Sequence, residues 1–554
     1  MEHDAVGILS GIPLSMSRRT FLRCSAFTVL AAAAGFVPRG ATGLTPVTTP
    51  FSLGVASGEP THDSVVLWTR LALDPMNGGG MPSTPIEVNW RVATDEHMGN
   101  VIKQGATVAL PENGHSVHVR VNGLAPDRWY WYQFESGSEI STVGRTRTFP
   151  APGSFSRPLR FVFVSCQHWE EGFFTAWKHL ADEDIDFVIH LGDYIYEHDG
   201  PSVRVRHHVS MSESATLDDY RNRHAQYRSD PHLQAAHARF PFIVTWDDHE
   251  VEDNYAGEIS KKNRDADPSN DVSPADFRVR RARAYKAYFE HMPLDPRLFW
   301  SDANARMFRC FDWGRLARFC VLDTRQFRSN QPCGGTKDWL APAGDDLVIP
   351  CGEELDASST MTGAAQEKWL FDELKNSPAR WNVIAQQVMM AAADFGPGVA
   401  HFDPQFKGVQ IRNVDAWDGY VAARSRLLGF FQEEGIRNPV VISGDIHSSW
   451  VADLKTDFND PASPVVGTEF VGPSISSLFP GAFVPIVEAA LSDPANAHIR
   501  FFEGTLHGYV RCLVTPELWR SDYRVVDTVM LPTATVRTLK SFVLNDKRPG
   551  SLVL

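Results

Sequence analysis

The residues His190-Leu191-Gly192-Asp193-Tyr194-Ile195-Tyr196, HLGDYIY, follow directly on the apolar run Phe187-Val188-Ile189. Such a run reads as a buried strand. Burial does not account for what ends it, an aspartate behind a glycine and then a tyrosine three residues on. Three other apolar runs end in the same way. Phe161 to Val164 leads into Ser165-Cys166-Gln167-His168, Phe242 to Trp246 into Asp247-Asp248-His249-Glu250, and Val440 to Ile442 into Ser443-Gly444-Asp445-Ile446-His447. A further run, Val383 to Ala385, precedes Gln386-Gln387. Helical signals lie between the runs: Phe173, Phe174, Trp177 and Leu180 fall at helical spacing, and Asp230-Pro231 reads as a cap followed by a first helical residue. Strands alternating with helices define an α/β domain, in which the loops after the carboxyl ends of strands converge. Four polar clusters at four strand ends therefore predict one site.

The rest of the chain frames that domain. With 554 residues, 43% hydrophobic and 11% aromatic, the chain is globular and long enough for two domains. From about residue 50 to 150 the pattern is short alternating runs, Ser64 to Thr69, Ile86 to Val92 and Ser116 to Val121, which predict a small β-sandwich. Within it, Leu124 to Tyr132 resembles the corner of fibronectin-type or immunoglobulin-like domains, where a tyrosine fastens the turn. Residues 158–554 form the α/β domain, with a polar surface loop expected at Asn263 to Ser273. The formal net charge of −14, without a long Lys/Arg run, argues against a nucleic-acid partner and suits a site that holds cations.

Residues 1–45 read as an address and a linker. Ser17-Arg18-Arg19-Thr20-Phe21-Leu22-Arg23 precedes an alanine-rich apolar stretch from Cys24 to Val37. This is a twin-arginine export pattern, and it names the twin-arginine translocase as a partner. The apolar stretch is too short to anchor the chain, so the only expected membrane contact is through the signal. The mature protein is expected in the periplasm or outside the cell. Six cysteines follow the signal, compatible with one or two bridges in an oxidising compartment. Cys333 and Cys351 bracket a Gly/Pro-rich loop and are the expected pair.

Residue types at the strand ends indicate what the site holds. Cys166, Asp193, Tyr196, Asp248, Asp445 and His447 are potential anions or imidazoles, and several carboxylates in one place resist ionisation unless a cation joins them. Thiolate, phenolate and imidazole favour a transition metal such as iron, while carboxylate and amide oxygens suit calcium, magnesium or manganese. Taken singly, each has an ordinary role: an inert buried thiol, a cap at Asp193, a packing tyrosine, a core histidine, a solvated Asp247-Asp248 loop. Taken together, all after apolar strands, they predict a metal site.

Gly192-Asp193-Tyr194-Ile195-Tyr196 resembles the G-D-x-x-Y element of purple acid phosphatases in the metallophosphoesterase superfamily. Asp248-His249-Glu250 stands where that pattern has N-H-E or N-H-D, and Gly444-Asp445-Ile446-His447 where it has G-H-x-H. Cysteine at 166, aspartate at 248 and aspartate at 445 depart from purple acid phosphatases in the manner of the PhoD-like alkaline phosphatase family. Tyr220 to Arg223, Leu322 to Gln326, Gln386-Gln387 and Glu469 to Gly472 are similar to that family as well. The resemblance implies a two-sheet α/β sandwich behind the small β-sandwich. It also implies Fe3+ held by Cys166, Asp193, Tyr196 and His447. Asp193 would bridge to Ca2+, completed by Asp445 and by an oxygen ligand among Asp248, Asp253 and Asn254. Gln386 is either a ligand or an outer partner.

The expected chemistry is hydrolysis of phosphate monoesters and diesters at alkaline pH. Metals roughly 3.5 to 4 Å apart would clamp phosphate oxygens while a bound hydroxide attacks phosphorus in line. His249 would stabilise the transition state or protonate the leaving oxygen, with orientation of Asp248 as its lesser role. Two alternatives stand beside this reading. One is a dedicated phosphodiesterase acting on phospholipid, as phospholipase D enzymes do, or on cell-wall polymer. The other is a secreted metal-binding or adhesion protein.

Overall fold

Phe187–His190 is buried at all four positions, so it has no solvent-facing side and must lie inside a covered sheet. In the computed structural model, which describes residues 49–154, 157–198, 200, 204–264, 268–298, 304–333 and 346–554, it does. It pairs in parallel with Leu159–Val164 on one side and Pro241–Val244 on the other. These three strands are the middle of a ten-stranded sheet. A seven-stranded sheet faces it, with Ala317–Val321, Trp381–Ala385, Pro439–Ser443 and Val465–Val471 pairing in parallel at its centre.

Period-two alternation places the core. Phe161, Phe163, Phe187 and Ile189 point from the first sheet toward Phe319, Val321, Val383 and Ile442 of the second. Phe161 and Phe187 stack with centroids 5.4 Å apart, and Phe319 stands edge-on to both, at 5.1 and 5.5 Å. Replacing one such buried phenylalanine by alanine costs about 3–5 kcal/mol. The intervening residues Val162 and Val188 face outward against Trp177, Leu180, Tyr227 and Leu233, while Cys320, Ile384 and Val441 face outward against Leu370, Leu374 and Leu427. The result is a helix-covered two-sheet sandwich whose parallel strands in both layers end at one rim.

The N-terminal β-sandwich is not a free-standing module. Val55–Gly58, Ser64–Arg70 and Ser116–Asn122 continue the ten-stranded sheet, since Val55–Gly58 pairs in parallel with Pro241–Val244. Only the other layer, built on Ile86–Ala93, Val101–Ala109 and Trp129–Ser136, is separate. A shared apolar core that includes Val65, Leu67, Val88, Tyr132 and Phe134 joins the two layers. Alternation reveals strands but not which edge they join. Gly58 marks the junction, because a Cβ there would sit 2.4 Å from the Pro293 carbonyl oxygen. The tyrosine corner is present: the Tyr130 hydroxyl accepts from Ala125 N–H at 2.9 Å and donates to the Ala125 carbonyl at 3.1 Å.

Helix limits moved where caps were absent. The helix expected from Phe173 begins at Thr175, because the Phe173 N–H is given to the Val529 carbonyl at 2.7 Å. The helix Pro231–Arg239 starts behind Asp230, whose carboxylate accepts from His232 and Leu233 N–H. The expected polar loop carries two single 3-10 turns, Lys261–Arg264 and Pro268–Asn270. Two disulfides form, the expected Cys333–Cys351 and also Cys310–Cys320 between directly opposed residues of neighbouring strands. Cys166 and Cys512 are free and buried. The twin-arginine segment and the rest of residues 1–48 lie outside the described residues. Among the described residues no helix is long and apolar enough to cross a membrane.

Candidate metal centre

Backbone conformation concentrates at the rim where the strands end. Five of the twelve described non-glycine residues with positive φ are Cys166, Asp193, Asn254, Asp445 and His447. Each costs conformational energy that the surroundings must offset, and such residues gather at functional sites. Gly192, at φ 119°, is required by close approach: a Cβ would lie 2.5 Å from Asp247 Cβ and 2.6 Å from Asp247 N. The Asp193 and Asp247 turns are thus pressed together, and Glu250 ties them. Its Oε1 accepts from Tyr194 N–H at 2.6 Å, and its Oε2 from Asp193 N–H at 3.1 Å and Asp247 N–H at 2.7 Å.

On this scaffold Cys166 Sγ, an Asp193 carboxylate oxygen and a His447 nitrogen lie within 4.8 Å of one another. Tyr196 joins them: its hydroxyl is 3.0 Å from Asp193 Oδ2 and 2.9 Å from His447 Nε2, and it accepts from Ser477 Oγ at 2.7 Å. His447 Nδ1 donates to the Leu478 carbonyl at 3.1 Å, which leaves the Nε2 lone pair facing the cluster. One phenolic proton cannot serve Asp193 and His447 at once.

Asp193 also belongs to a second group with Asp248 and His249, and Asp248 to a third with Asp247 and Asp445. Asp193 is thus common to the first two groups, and Asp248 to the last two. The residues fit metal ions on three counts. Asp193 Oδ1 and Asp248 Oδ1 are buried acceptors without a hydrogen-bond partner. Burial, and then the charge of Asp193, pushes the Cys166 thiol and the Tyr196 phenol well above their ordinary pKa values, so their anions need a cation. The donor set of thiolate, phenolate, imidazole and carboxylate is that of a transition metal on one side, and the carboxylate-rich side suits a hard cation. Cys333, Cys351 and Glu353 also cluster, but their sulfurs are joined in a disulfide.

Not every expected residue stands at the same distance from this centre. Asp248 Oδ2 accepts from Asn254 N–H at 2.6 Å, while the Asn254 side chain donates to Asp346 at 2.6 Å. Asp253 is paired with Lys261 at 2.5 Å. Gln386 donates to Ser443 Oγ at 2.8 Å and to the Val388 carbonyl, and accepts from Trp417 at 3.0 Å, so its amide braces the strand ends. Gln387 spans both sheets, donating to Thr245 and Leu322 and accepting from Thr324. The His249 ring lies tilted against Tyr196 at 4.2 Å between ring centroids, and its Nδ1 donates to Glu197 Oε2 at 2.8 Å. Burial opposes protonation of His249, but Glu197, Asp248 and Asp193 outweigh it and raise its pKa well above the ordinary value.

Arg325 is a residue whose role the sequence reading missed. Fully buried, it donates to Asp247, to Asp415 Oδ2 at 2.6 Å and to Asp445 Oδ1 at 2.8 Å, and its guanidinium lies 3.4 Å from Asp248 Oδ1. Even so, burial raises Asp248 to about 6 and Asp445 to about 8. Burial acts on Asp193 too, but His249, His447 and Arg325 outweigh it and hold its pKa down at about 2. One guanidinium among these aspartates leaves negative charge in excess, and cations are the physical remedy. The signal for Arg325 was present: Phe319-Cys320-Val321-Leu322 is one more apolar run that ends in polar residues. Glu197 directly follows Tyr196 and could have been read with it. Asp415 and Ser477 lie in loops and carry no periodic signal.

Two facing sheets with acidic, metal-competent loops at their common rim define an α/β protein with a candidate metal centre. The family model of PhoD-like phosphatases matches residues 161–523 and that of their N-terminal domain matches residues 39–150, so the chain belongs to the PhoD-like phosphatase family. It is 46% identical over 508 residues to alkaline phosphatase D of Bacillus subtilis (strain 168), covering 90% of this chain and 82% of that protein. A solved structure of PhoD superposes with a TM-score of 0.83 at 44% identity, covering 94% of this chain and 93% of that one.

Proposed function

We propose that this chain is an exported, metal-dependent alkaline phosphatase that hydrolyses phosphate monoesters and diesters. Family membership supports the phosphatase activity, and the observation that carries the mechanism is Asp193, shared between a cluster with Cys166 and His447 and one with Asp248 and His249, while Asp248 in turn belongs to the all-carboxylate cluster with Asp247 and Asp445. Cys166, Asp193, Tyr196 and His447 would hold Fe3+. Asp193, Asp248, Asn254 and Asp445 would hold Ca2+, with Asn254 positioned through its hydrogen bond to Asp248. When bound, these ions supply positive charge that polarises phosphoryl oxygens and acidifies water.

The remaining steps belong to the protein. Glu197 accepts the Nδ1 proton of His249 at 2.8 Å and fixes its ring, so Nε2 carries the proton given to the leaving oxygen. Arg325 ties Asp247, Asp415 and Asp445 together and partly offsets their burial, and the Leu478 carbonyl fixes the His447 tautomer. The division into a sandwich at 50–150 and a catalytic domain at 158–554 belongs to the same proposal. Export rests on Arg18-Arg19, and the two disulfides are consistent with an oxidising compartment. Assaying one purified, metal-replete sample on a monoester and a diester tests the reading. Both should be cleaved; cleavage of diesters alone would instead favour a dedicated phosphodiesterase, and cleavage of neither a binding protein.

A further inference from the structure

Asn254 is held through its backbone and through one atom of its side-chain amide. Its N–H donates to Asp248 Oδ2 at 2.6 Å, its carbonyl accepts from Gln331 Nε2 at 2.8 Å and from Arg328 at 3.2 Å, and its Nδ2 donates to Asp346 Oδ2 at 2.6 Å. These bonds keep it at φ 52°, which is uncommon outside glycine. Among the described residues its Oδ1 accepts no hydrogen bond.

The Asp346 contact decides which way that amide faces. An ionised carboxylate offers only acceptors, so it takes the NH2, and the oxygen lies on the other branch of the planar group. That oxygen is the atom of the side chain able to ligate a hard cation. Turned over, the amide would set oxygen against oxygen at Asp346 and present a donor in the ligand's place. A charge-assisted hydrogen bond to the NH2 also polarises the amide toward Oδ1. Asp346 is itself fixed, since its carbonyl accepts from Val414 N–H at 2.9 Å and the following Leu347–Val348 pairs with Arg412–Asn413. On the other side of Asn254, Gln331 and Arg328 also donate to Asp415 Oδ1, at 2.8 and 2.6 Å. Gln331 lies two residues before Cys333, and Asp346 five before Cys351. The Cys333–Cys351 disulfide therefore joins the two arms that hold Asn254.

We propose that Asp346 is a positioning residue for the hard-cation side of the centre: it fixes the Asn254 amide with Oδ1 as the ligand atom, and the Cys333–Cys351 disulfide keeps Asp346 and Gln331 in place around it. Asp346 acts through Asn254. The inference rests on the reading of Asn254 as a ligand to that cation.

Calcium retention by the full, metal-replete protein against a graded calcium chelator, read by elemental analysis of calcium and iron together, tests it. Asp346→Ala should weaken calcium binding about 10- to 100-fold and leave the iron content unchanged. Asp346→Asn, which keeps an acceptor oxygen without the charge, should weaken it less. Asn254→Gly removes the amide while tolerating the positive φ, and should weaken calcium as well. Adding Asp346→Ala to Asn254→Gly should then change nothing further, because a residue that acts through Asn254 has no effect once that side chain is gone. Cys333→Ser with Cys351→Ser should weaken calcium in the same direction. Unchanged retention in Asp346→Ala would overturn the proposal, as would additive losses in the double variant or a parallel loss of iron, which would mark a general structural role. Unchanged retention in the cysteine pair would overturn the part given to the disulfide. Unchanged retention in Asn254→Gly would overturn the ligand reading of Asn254 and the proposal with it, whereas a loss there without one in Asp346→Ala would overturn the proposal alone.

Discussion

Glu250→Gln isolates the contact that holds the two halves of the metal centre together. The carboxylate receives three backbone N–H groups, two on Oε2 and one on Oε1. Glutamine has the same shape but one oxygen. Turned to keep Asp193 and Asp247, it sets its NH2 against the Tyr194 N–H, losing one charge-assisted hydrogen bond and leaving buried donors face to face. That loss is worth about 2–4 kcal/mol. The bond lost at Tyr194, the next residue, loosens the turn that holds Asp193 at φ 54°, so Asp193 can relax out of its place between the two clusters. Removal of such an outer partner costs roughly 10- to 100-fold in metal affinity. The assay is metal retention against a graded chelator, read by elemental analysis beside phosphatase activity. A variant that is less stable yet keeps its metal and its activity would show that Glu250 supports the fold without positioning Asp193.

Three further outcomes are expected. His249→Ala should lower kcat by about 10² to 10⁴ on an alkyl phosphate and by much less on p-nitrophenyl phosphate, whose leaving group needs no proton; equal losses would remove His249 from the proton-donor role. Glu197→Gln should reproduce a milder form of the same leaving-group dependence, since the Nδ1 hydrogen bond survives without the charge. Arg18→Lys with Arg19→Lys should keep the precursor in the cytoplasm, and unimpaired export of that variant would discard the twin-arginine reading.

What was legible in the sequence followed from periodicity and strand ends. The runs at Phe161, Phe187, Phe242, Val383 and Val440 all became strands, because an uninterrupted apolar stretch can be satisfied only between two covered faces. The polar residues after them met because parallel strands in both sheets end at one rim, a consequence of the α/β order. Sequence gave no information on sheet edges, so the fusion of the N-terminal strands to the main sheet through Val55–Gly58 was invisible. Residues whose work depends on a partner far along the chain were equally hidden. Arg325 draws its role from Asp247, Asp415 and Asp445, and Ser477 from Tyr196, pairings that no local pattern encodes. Asn254 shows the limit within a motif: spacing placed it near Asp248 but could not tell that its side chain turns to Asp346.

The central claim is that Cys166, Asp193, Tyr196 and His447 hold a ferric ion, and the visible spectrum of the purified protein tests it most directly. Neutral phenol and thiol groups do not absorb visible light, whereas phenolate and thiolate bound to ferric iron do. An unperturbed phenol titrates near about 10, and burial moves Tyr196 higher still, so only a strongly charged cation makes it a phenolate near neutral pH. The native protein is expected to contain iron and to be coloured. Tyr196→Phe should shift or weaken the band and reduce activity without unfolding the chain, and Cys166→Ser should change the band separately. A colourless, iron-free protein with full activity would contradict the account, as would an iron-loaded Tyr196→Phe variant with an unchanged spectrum.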